Sequence, residues 1–255
     1  MKLETAEIVS NTQITTDLWD VGLRAPQIAR EARPGQFVHV RVSQAADPLL
    51  RRPMSIYRIG EDTVNLLVRP AGRGSRIIID KRVGESLDCL GPLGNGFALH
   101  PTSRHLLMIG GGSGIGPLVG LAEDAVAKDL SVVLLFGARS GDRVFPGRLL
   151  PEAVEYAVAT EDGSAGRGGV VTDLLRDYLD WADALYACGP RAMFLTMLDI
   201  MRAGNVRKSV QVSMEENMAC GVGACFGCVV ETRRGEMKSV CEDGPIFEMS
   251  ELAWG

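Results

Sequence analysis

The sequence lacks the features of a membrane-spanning, secreted or nucleic-acid-binding protein. No apolar run approaches the roughly 18 residues that a membrane span needs, and the start, MKLETAEIVSNTQ, has neither the basic segment nor the apolar run of a signal peptide. The formal net charge of -5 lacks the excess of lysine and arginine that neutralises phosphates in nucleic-acid-binding proteins. We therefore expect a cytoplasmic protein that binds no membrane and no nucleic acid.

Internal repeats and low-complexity tracts are absent as well, and no stretch is poor enough in apolar residues to indicate disorder. Apolar residues make up 46% and charged residues 23% of the 255 residues, which is ordinary for a globular protein. Since a domain has roughly 100 to 200 residues, this length predicts more than one domain.

The first hundred residues predict a small antiparallel β-barrel. GQFVHVRV, PMSIYRIG and TVNLLVRP carry β-branched or alternating apolar residues between Gly, Pro, Asp or Asn, which is typical of short strands joined by turns. After the third strand, Gly72 and Gly74 precede Ser75 and an apolar stretch, which predicts a short helix.

From His105 onwards the pattern changes to alternating strands and helices, which predicts a parallel sheet covered on both faces. One helix is predicted from an N-cap at Thr172, and another is predicted to end at Gly204. The segment after Val206 has too few apolar residues for a core of its own, so it needs a metal or a partner. We predict three domains: a barrel over residues 1–100, an α/β domain over residues 101–208 and a small domain over residues 209–255.

Cysteine is sparse except near the C-terminus, where four of the six cysteines occur. Disulfides are rare in the cytosol, so this group indicates a metal site or redox chemistry. Four and then two residues separate Cys220, Cys225 and Cys228, and Cys241 follows after twelve more; the first three have the spacing of plant-type iron-sulfur sites. The glycines among them suit a chain that curls tightly around a cluster: Gly221, Gly223 and Gly227.

Two other interpretations of the cysteines stay open. Structural zinc is also held by four thiolates, usually from two pairs with two residues between the members, whereas this segment has one such pair. The thiols could also be buried structural residues with a coincidental spacing. Cys89 lies outside the group and is predicted to be a small buried apolar residue.

Three loops that follow strands indicate a nucleotide site. GGGSGIGPL, residues 110–118, joins a strand to a helix, where backbone N-H groups and the helix dipole can receive a pyrophosphate, although glycines there could merely allow close packing. TEDGS places Glu161 or Asp162 beside a ribose, which favours NADH, whereas Arg139 could meet the 2′-phosphate of NADPH. YACGP, residues 186–190, ends a strand on the same predicted edge of the sheet.

The barrel offers further candidates for binding an anion. Arg52 in RRPMS is a candidate phosphate or flavin ligand, and GRGS opens a helix whose N-terminus attracts anions. No acid, base or nucleophile is predicted to be catalytic. The three histidines, His39, His100 and His105, are scattered and are predicted to be structural or on the surface.

Seven motifs in this order resemble one family: PGQFV, LLRRPMSI, GPLGNGF, GGGSGIGPL, TEDGS, ACGP and CGVGACFGC. The family is the electron-transfer subunits of NAD-dependent dihydroorotate dehydrogenase, within the ferredoxin-reductase superfamily, and the resemblance covers the whole chain. It implies an antiparallel FAD-binding barrel, a parallel-sheet NAD-binding domain and a 2Fe-2S domain. Met54 stands where the wider superfamily has a tyrosine, which favours the dihydroorotate branch.

The resemblance also implies site residues. Those for FAD are Arg52, Pro53, Met54, Ser55, Leu67, Val68, Arg69, Gly74 and Ser75. Those for NAD are Gly111, Gly112, Gly114, Gly116, Cys188, Gly189 and Pro190, to which we add Asp162. The cluster ligands are Cys220, Cys225, Cys228 and Cys241.

The implied function is electron transfer between NAD+ and a catalytic FMN-containing dihydroorotate dehydrogenase subunit, in a hetero-tetramer of pyrimidine biosynthesis. FAD converts between two-electron hydride transfer and single-electron transfer through the cluster. One alternative is an NAD(P)H reductase serving another partner, such as a hydrogenase or a glutamate-synthase-like enzyme. The other is a nucleotide-binding regulatory module with structural zinc.

Overall fold

The computed structural model describes residues 1–43, 45 and 47–254, and its N-terminal part is a closed barrel. The elements of the barrel are β1 (Lys2–Thr15), β2 (Leu18–Arg24), α1 (Pro26–Glu31), β3 (Phe37–Arg41), β4 (Arg52–Ile59), β5 (Thr63–Val68), α2 (Arg73–Ile79) and β6 (Ser86–Leu93). Around the barrel the strands follow the order β1, β2, β5, β4, β3, β6, and all neighbours are antiparallel. The predicted antiparallel barrel and the short helix after Gly72 are confirmed.

Alternation along the strands separates the core of the barrel from its outer wall. In β3, Val38 and Val40 pack inside the barrel, whereas Phe37 packs outside it against the C-terminal part of the chain. In β5, Leu66 and Val68 face the same interior, and Leu67 packs outside it. The outer wall of β3 and β5 is therefore the surface on which the rest of the molecule is built.

The second part is a parallel sheet with helices on both faces, as predicted. Its elements are β7 (His105–Gly111), α3 (Ile115–Val126), β8 (Ser131–Ala138), β9 (Val154–Thr160), β10 (Arg167–Gly168), α4 (Thr172–Tyr178), β11 (Ala184–Cys188), α5 (Arg191–Ala203) and β12 (Ser209–Ser213). The strand order is β10, β9, β8, β7, β11, β12, and all these neighbours are parallel.

Side chains of alternate residues in β7 pack into the two core layers, one on each face of this sheet. Leu106 and Met108 pack with α3, and Leu107 and Ile109 pack with α4 and α5. The described helices include none that is long and apolar enough to cross a membrane.

One helix start differs from its prediction. Thr172 is the first residue of α4, and Val171 is the N-cap. The Asp173 carboxylate accepts a hydrogen bond from the Val170 N-H at 2.9 Å, so an acidic side chain inside the first turn satisfies the backbone ahead of the helix. The N-cap prediction for Thr172 is therefore wrong, whereas Gly204 does cap α5.

The C-terminal segment leaves the sheet and returns to it. It forms a hairpin of β13 (Val229–Glu231) and β14 (Met237–Ser239), and then β15 (Ile246–Glu248) pairs antiparallel with β12. By their hydrogen bonds, β12 and β15 belong to the α/β sheet, although the predicted boundary assigns residues 209–255 to a separate domain. The cysteine loop is thus an excursion between two strands of one sheet, and the domain boundaries themselves stay a prediction.

Candidate flavin, nucleotide and iron-sulfur sites

The four clustered cysteines are associated in two pairs. Cys220 and Cys225 lie close enough for the Cys225 thiol to lower the pKa of Cys220, and Cys228 and Cys241 lie close enough for the Cys228 thiol to raise the pKa of Cys241. Cys228 and Cys241 are each only 2% exposed and belong to the same core cluster as Phe37, whereas Cys225 is exposed. The cysteine group therefore has one pair facing the interior and another facing outward.

The backbone of the loop points its N-H groups at these sulfurs. The Val222 N-H lies 3.4 Å from the Cys220 Sγ, and the Gly223 N-H lies 3.1 Å from the Cys241 Sγ. Gly221 and Gly223 both have φ of +74°, a conformation that side chains disfavour and that turns the peptide N-H groups inward. The predicted role of the glycines is confirmed for Gly221 and Gly223. It is wrong for Gly227, because the positive φ at that end of the loop, +52°, belongs to the preceding residue, Phe226.

The environment shifts the pKa of a thiol in opposite directions in the two cysteine pairs. Burial alone would raise the pKa of the Cys220 thiol, but hydrogen bonds from Val222, Ala224 and Cys225 outweigh it and lower the pKa to about 7. Burial raises the pKa of Cys241 to about 12, and the neighbouring Cys228 thiol contributes to the increase. Cys220 is thus the thiol of these two that is the readier to ionise and to begin binding a metal.

The donor set fits a two-iron cluster. Such a cluster takes two thiolates on each iron, which matches two thiol pairs joined by one loop with inward N-H groups. Within residues 1–43, 45 and 47–254, no group of three or more His, Cys, Asp or Glu side chains converges to hold a metal ion, so the four thiols are associated only in pairs. The pairing therefore favours a binuclear cluster over a single zinc ion.

A cavity of about 490 Å³ lies at the carboxyl ends of the parallel strands, where nucleotides bind to such sheets. Four residues predicted for NAD line it: Gly111, Gly112, Gly189 and Pro190. Gly112 has φ of +55° and open space around it, so the turn between β7 and α3 presents bare backbone to the cavity. Glu161, Arg139 and Arg143 line the same cavity, and Arg143 is paired with Asp17 at 3.3 Å.

The other residues predicted for NAD lie elsewhere. A side chain at Gly114 would clash with the carbonyl oxygen of Cys188, so this glycine permits close packing, and the Cys188 thiol is buried. Gly116 lines the neighbouring cavity described below. The Asp162 carboxylate accepts hydrogen bonds from Ser164, at 2.9 Å from its N-H, and Glu161 rather than Asp162 forms part of the cavity wall.

A second cavity, of about 580 Å³, lies on the outer wall of the barrel. Most of the residues predicted for FAD line it: Arg52, Pro53, Met54, Ser55, Leu67, Arg69, Gly74 and Ser75. Val68 does not, because it points into the barrel core. The Arg52 side chain lies against Gly74 so closely that any side chain at Gly74 would displace it, which leaves a cation beside the start of α2. These residues fit a long anionic cofactor with an apolar end.

The two cavities share a wall. Arg69, Ser113 and Glu215 line both of them. Burial raises the pKa of the Glu215 carboxyl and the charge of Arg69 partly offsets the increase, although the side chain is still exposed to the open cavities. Glu215 was not predicted, but its signal is in the sequence, because it follows a strand that ends at the nucleotide-binding edge of the sheet.

The flavin cavity also adjoins the cysteine group. Phe37 and Met218 line this cavity and pack in the same core cluster as Cys228 and Cys241. Met218 also precedes Cys220 by only two residues, so the flavin cavity adjoins both the nucleotide cavity and the chain that leads into the cysteine loop.

The histidines occupy unlike positions. His100 is exposed, and the half-exposed His105 lies 3.3 Å from Asp183. His39 is fully buried in the outer wall of β3, and burial lowers its pKa. The Cys220 carbonyl partly opposes that decrease, yet neither ring nitrogen of His39 makes a hydrogen bond of ordinary geometry within the described residues.

Two family models match the chain. The iron-sulfur cluster binding domain of dihydroorotate dehydrogenase B matches residues 215–253, and the oxidoreductase NAD-binding domain matches residues 108–198. Among relatives, the dihydroorotate dehydrogenase B (NAD(+)) electron transfer subunit of Geobacillus sp. (strain WCH70) is 42% identical over 99% of both chains. The subunit of that name from Bacillus cereus (strain B4264) is 35% identical over 99% of both chains.

Solved structures share the fold. A chain of an NADH-dependent reduced ferredoxin-NADP oxidoreductase superposes with a TM-score of 0.87 at 29% identity, covering 98% of this chain and 90% of that one. A ferredoxin NADP+ reductase from Neisseria gonorrhoeae, with bound FAD and NADP, has a TM-score of 0.65 at 19% identity, covering 78% of this chain and 92% of that one.

The barrel, the nucleotide-binding sheet and the paired cysteines together define a flavin- and nicotinamide-dependent oxidoreductase with an iron-sulfur site. The chain belongs to the family of electron transfer subunits of dihydroorotate dehydrogenase B (NAD(+)).

Proposed function

We propose that this chain passes electrons between a catalytic dihydroorotate dehydrogenase subunit and NAD+, through a 2Fe-2S cluster and FAD, in pyrimidine biosynthesis. One observation carries the proposal: the flavin cavity shares Arg69, Ser113 and Glu215 with the nucleotide cavity, and it shares Phe37 and Met218 with the core around the buried cysteines. A group in the flavin cavity would therefore lie beside the nucleotide and beside the chain that leads into the cysteine loop.

The chemistry belongs to the bound groups. A nicotinamide passes two electrons as hydride, a cluster passes one at a time, and a flavin does both when it is bound. The chain holds these groups within reach of one another and keeps water from the buried side of the cysteine group. No residue of the chain is required as a catalytic acid, base or nucleophile.

The residues proposed for each group follow from the cavities. For FAD we propose Arg52, Pro53, Met54, Ser55, Leu67, Arg69, Gly74 and Ser75, with Val68 supporting the wall from inside the barrel. For the nicotinamide nucleotide we propose Gly111, Gly112, Gly189 and Pro190, with Gly114, Gly116 and Cys188 shaping the turn and Asp162 holding the loop that carries Glu161. For the cluster we propose Cys220, Cys225, Cys228 and Cys241.

The catalytic partner docks, in this proposal, on the outward side of the cysteine loop. Val222 and Phe226 are 39% and 68% exposed there, beside the exposed Cys225. An apolar rim around a redox group suits a partner that must approach closely for electron transfer. We propose that the partner contains FMN and that the complex is a hetero-tetramer in the cytoplasm, where reduced thiols such as the six unpaired ones here persist.

The test is reconstitution of the complex. The anaerobically purified chain should contain FAD together with two irons and two sulfides for each flavin, and it should confer dihydroorotate-dependent reduction of NAD+ on the isolated catalytic subunit. A chain that contains zinc and no flavin would contradict the proposal. If a chain with FAD and iron supports NAD+ reduction only with another oxidoreductase, such as a hydrogenase, the electron-transfer role stands. The assignment of the dihydroorotate dehydrogenase subunit as partner is then wrong.

A further inference from the structure

His39 lies where the flavin-binding barrel meets the cysteine loop. The alternation of β3 points Val38 and Val40 into the barrel, so Phe37 and His39 face outward. Both are nevertheless buried, because the C-terminal segment covers them: Phe37 is 3% exposed and His39 0%. Since Phe37 also lines the flavin cavity, this short stretch of strand touches both sites.

The ring of His39 packs directly against Gly221, the residue after Cys220. A Cβ built onto Gly221 would lie 2.5 Å from His39 Nδ1 and 3.1 Å from Cε1, which is too close for any side chain. Gly221 also has φ of +74°. Glycine is therefore required at this position both by the backbone and by the imidazole.

The His39 ring lies near backbone carbonyl groups without making a hydrogen bond of ordinary geometry to either of them within the described residues. Nδ1 and Nε2 are both buried and neither has a partner in the part of the chain that the structure describes. Leaving buried polar atoms unpaired is unfavourable, so such a side chain indicates an interaction that is still to be completed. The carbonyl groups of Cys220 and Arg51 both act on the ring, and every tautomer of histidine carries at least one N-H to donate.

The strand that carries His39 is held firmly. The Arg51 guanidinium donates to the His39 carbonyl at 3.1 Å and to the Asp88 carbonyl at 2.9 Å, and it pairs with the Asp88 carboxylate at 2.9 Å. These bonds tie β3, β6 and the residue before β4 together on the barrel wall. The ring of His39 therefore projects from a rigid base toward the loop.

We propose that His39 is a positioning residue of the iron-sulfur site, whose ring N-H bonds the Cys220 carbonyl and fixes the cluster loop against the flavin-binding barrel. The inference rests on the proposed function only in requiring that the four cysteines hold a cluster. His39 is not a ligand in this scheme. It sets where Cys220 lies relative to the wall shared with the flavin.

Two substitutions separate the hydrogen bond from packing. His39→Leu fills the space without a donor, whereas His39→Asn is smaller but places an N-H near the position of Nδ1. We expect the Leu variant to lose iron to a chelator about tenfold faster than wild type, because it lacks one hydrogen bond. Its reduced cluster should also give a broadened electron paramagnetic resonance spectrum. The Asn variant should retain the wild-type rate and spectrum. A Leu variant like wild type, or an Asn variant as impaired as Leu, would overturn the inference.

A second set of variants substitutes glycines of the C-terminal segment, so that the contact with His39 is tested even if the Leu variant misfolds. Gly221→Ala adds backbone strain and a collision with the ring, whereas Gly235→Ala, at φ of +79° with open space, adds strain alone. We expect Gly221→Ala to lose iron much faster than Gly235→Ala. We expect the double variant His39→Ala/Gly221→Ala to lose iron more slowly than the sum of the effects of His39→Ala and Gly221→Ala predicts. Strict additivity would contradict a direct contact between ring and loop.

FAD content and NADH-dependent bleaching of the flavin serve as controls for folding in every variant. Wild-type protein without iron would refute the proposed function itself. Wild-type protein with a cluster that His39→Leu leaves unchanged would refute only the role of His39.

Discussion

Glu215 occupies the point where the nucleotide and flavin cavities meet. A bound nicotinamide would become positively charged on giving up hydride, and the Glu215 carboxylate at this junction would stabilise that charge. Because burial raises the pKa of this carboxyl, the ionised form is lost at a higher pH than for an ordinary glutamate. Activity that depends on it should fall as the pH falls through that raised value.

Glu215→Gln should slow the reduction of bound flavin by NADH about tenfold, which corresponds to about 1.4 kcal/mol of lost stabilisation. Its rate should also no longer fall at mildly acidic pH. Stopped-flow absorbance of the flavin measures both effects. Glu216→Gln is the matched control, since Glu216 lines the flavin cavity but not the nucleotide cavity. Equal rates for the two variants would contradict the assignment of Glu215.

Cys220 should be more reactive than the buried thiol of Cys89 once iron is removed. Its pKa of about 7 lies below the ordinary value of 9.0, so its thiolate fraction rises through neutral pH, whereas Cys89, with a pKa raised by burial to about 12, stays protonated. Alkylation of the chelator-treated protein between about pH 6 and 9, read by mass spectrometry, should label Cys220 with a midpoint near pH 7 and leave Cys89 unlabelled. Equal labelling of both would show that the loop geometry is wrong.

At the scale of elements, the turn between β7 and α3 packs so tightly against β11 that Gly114 has no room for a side chain. Gly114 has an ordinary φ of -64°, so only space restricts this position. An added Cβ would clash with the Cys188 carbonyl oxygen and lie 2.9 Å from the Gly189 N, both of which are backbone atoms that cannot rotate away.

Gly114→Ala should therefore destabilise the protein by about 1–3 kcal/mol and weaken NADH binding, because β11 must shift away from the turn. Thermal unfolding and titration with NADH measure the two effects. Gly168→Ala is the control, since its nearest neighbour atom would lie at 3.6 Å in ordinary contact. If both variants behave like wild type, the turn has more freedom than the structure indicates.

Sequence pattern predicts the elements better than it predicts the direction of single side chains. The apolar run in β5 identifies a strand, but Leu67 and Val68 point to opposite faces, and only the closed barrel decides which one meets the flavin cavity. TEDGS identifies the loop after β9, but Ser164 binds the Asp162 carboxylate and leaves Glu161 at the cavity. Short side chains that hydrogen-bond within their own turn are hard to recognise before the turn is built.

For the whole molecule, the order of the sequence motifs predicts the order of the flavin, nucleotide and cluster sites along the chain. It does not predict which parts of these sites contact one another. The spacing of Cys220, Cys225 and Cys228 predicts a cluster loop, and the structure places it on the outer wall of β3 through Phe37 and His39. The return of β15 to the sheet has no local signal, because antiparallel pairing with β12 depends on an edge that exists only in the folded domain. The contact between the sites is thus a property of tertiary structure.

The outward rim of the cysteine loop should bind the catalytic subunit. Phe226→Asn removes an aromatic ring that is 68% exposed, and Asn tolerates the φ of +52° at this position better than most residues. The variant should bind the partner roughly tenfold more weakly while NADH reduces its FAD at the wild-type rate. Calorimetric titration with the partner measures this, with Val83→Asn, an exposed apolar residue of the barrel, as control. Equal weakening by both substitutions would argue against a specific rim.

The central claim is that the flavin lies between the nucleotide and the cluster, and removing FAD tests it most directly. Protein stripped of FAD under anaerobic conditions is mixed with NADH, and the cluster is followed by electron paramagnetic resonance before and after FAD is restored. We predict no reduction of the cluster by NADH without FAD, full reduction once FAD is added back, and reduction by dithionite in both samples, which shows that the cluster is intact. Reduction of the cluster by NADH in the stripped protein would contradict the account.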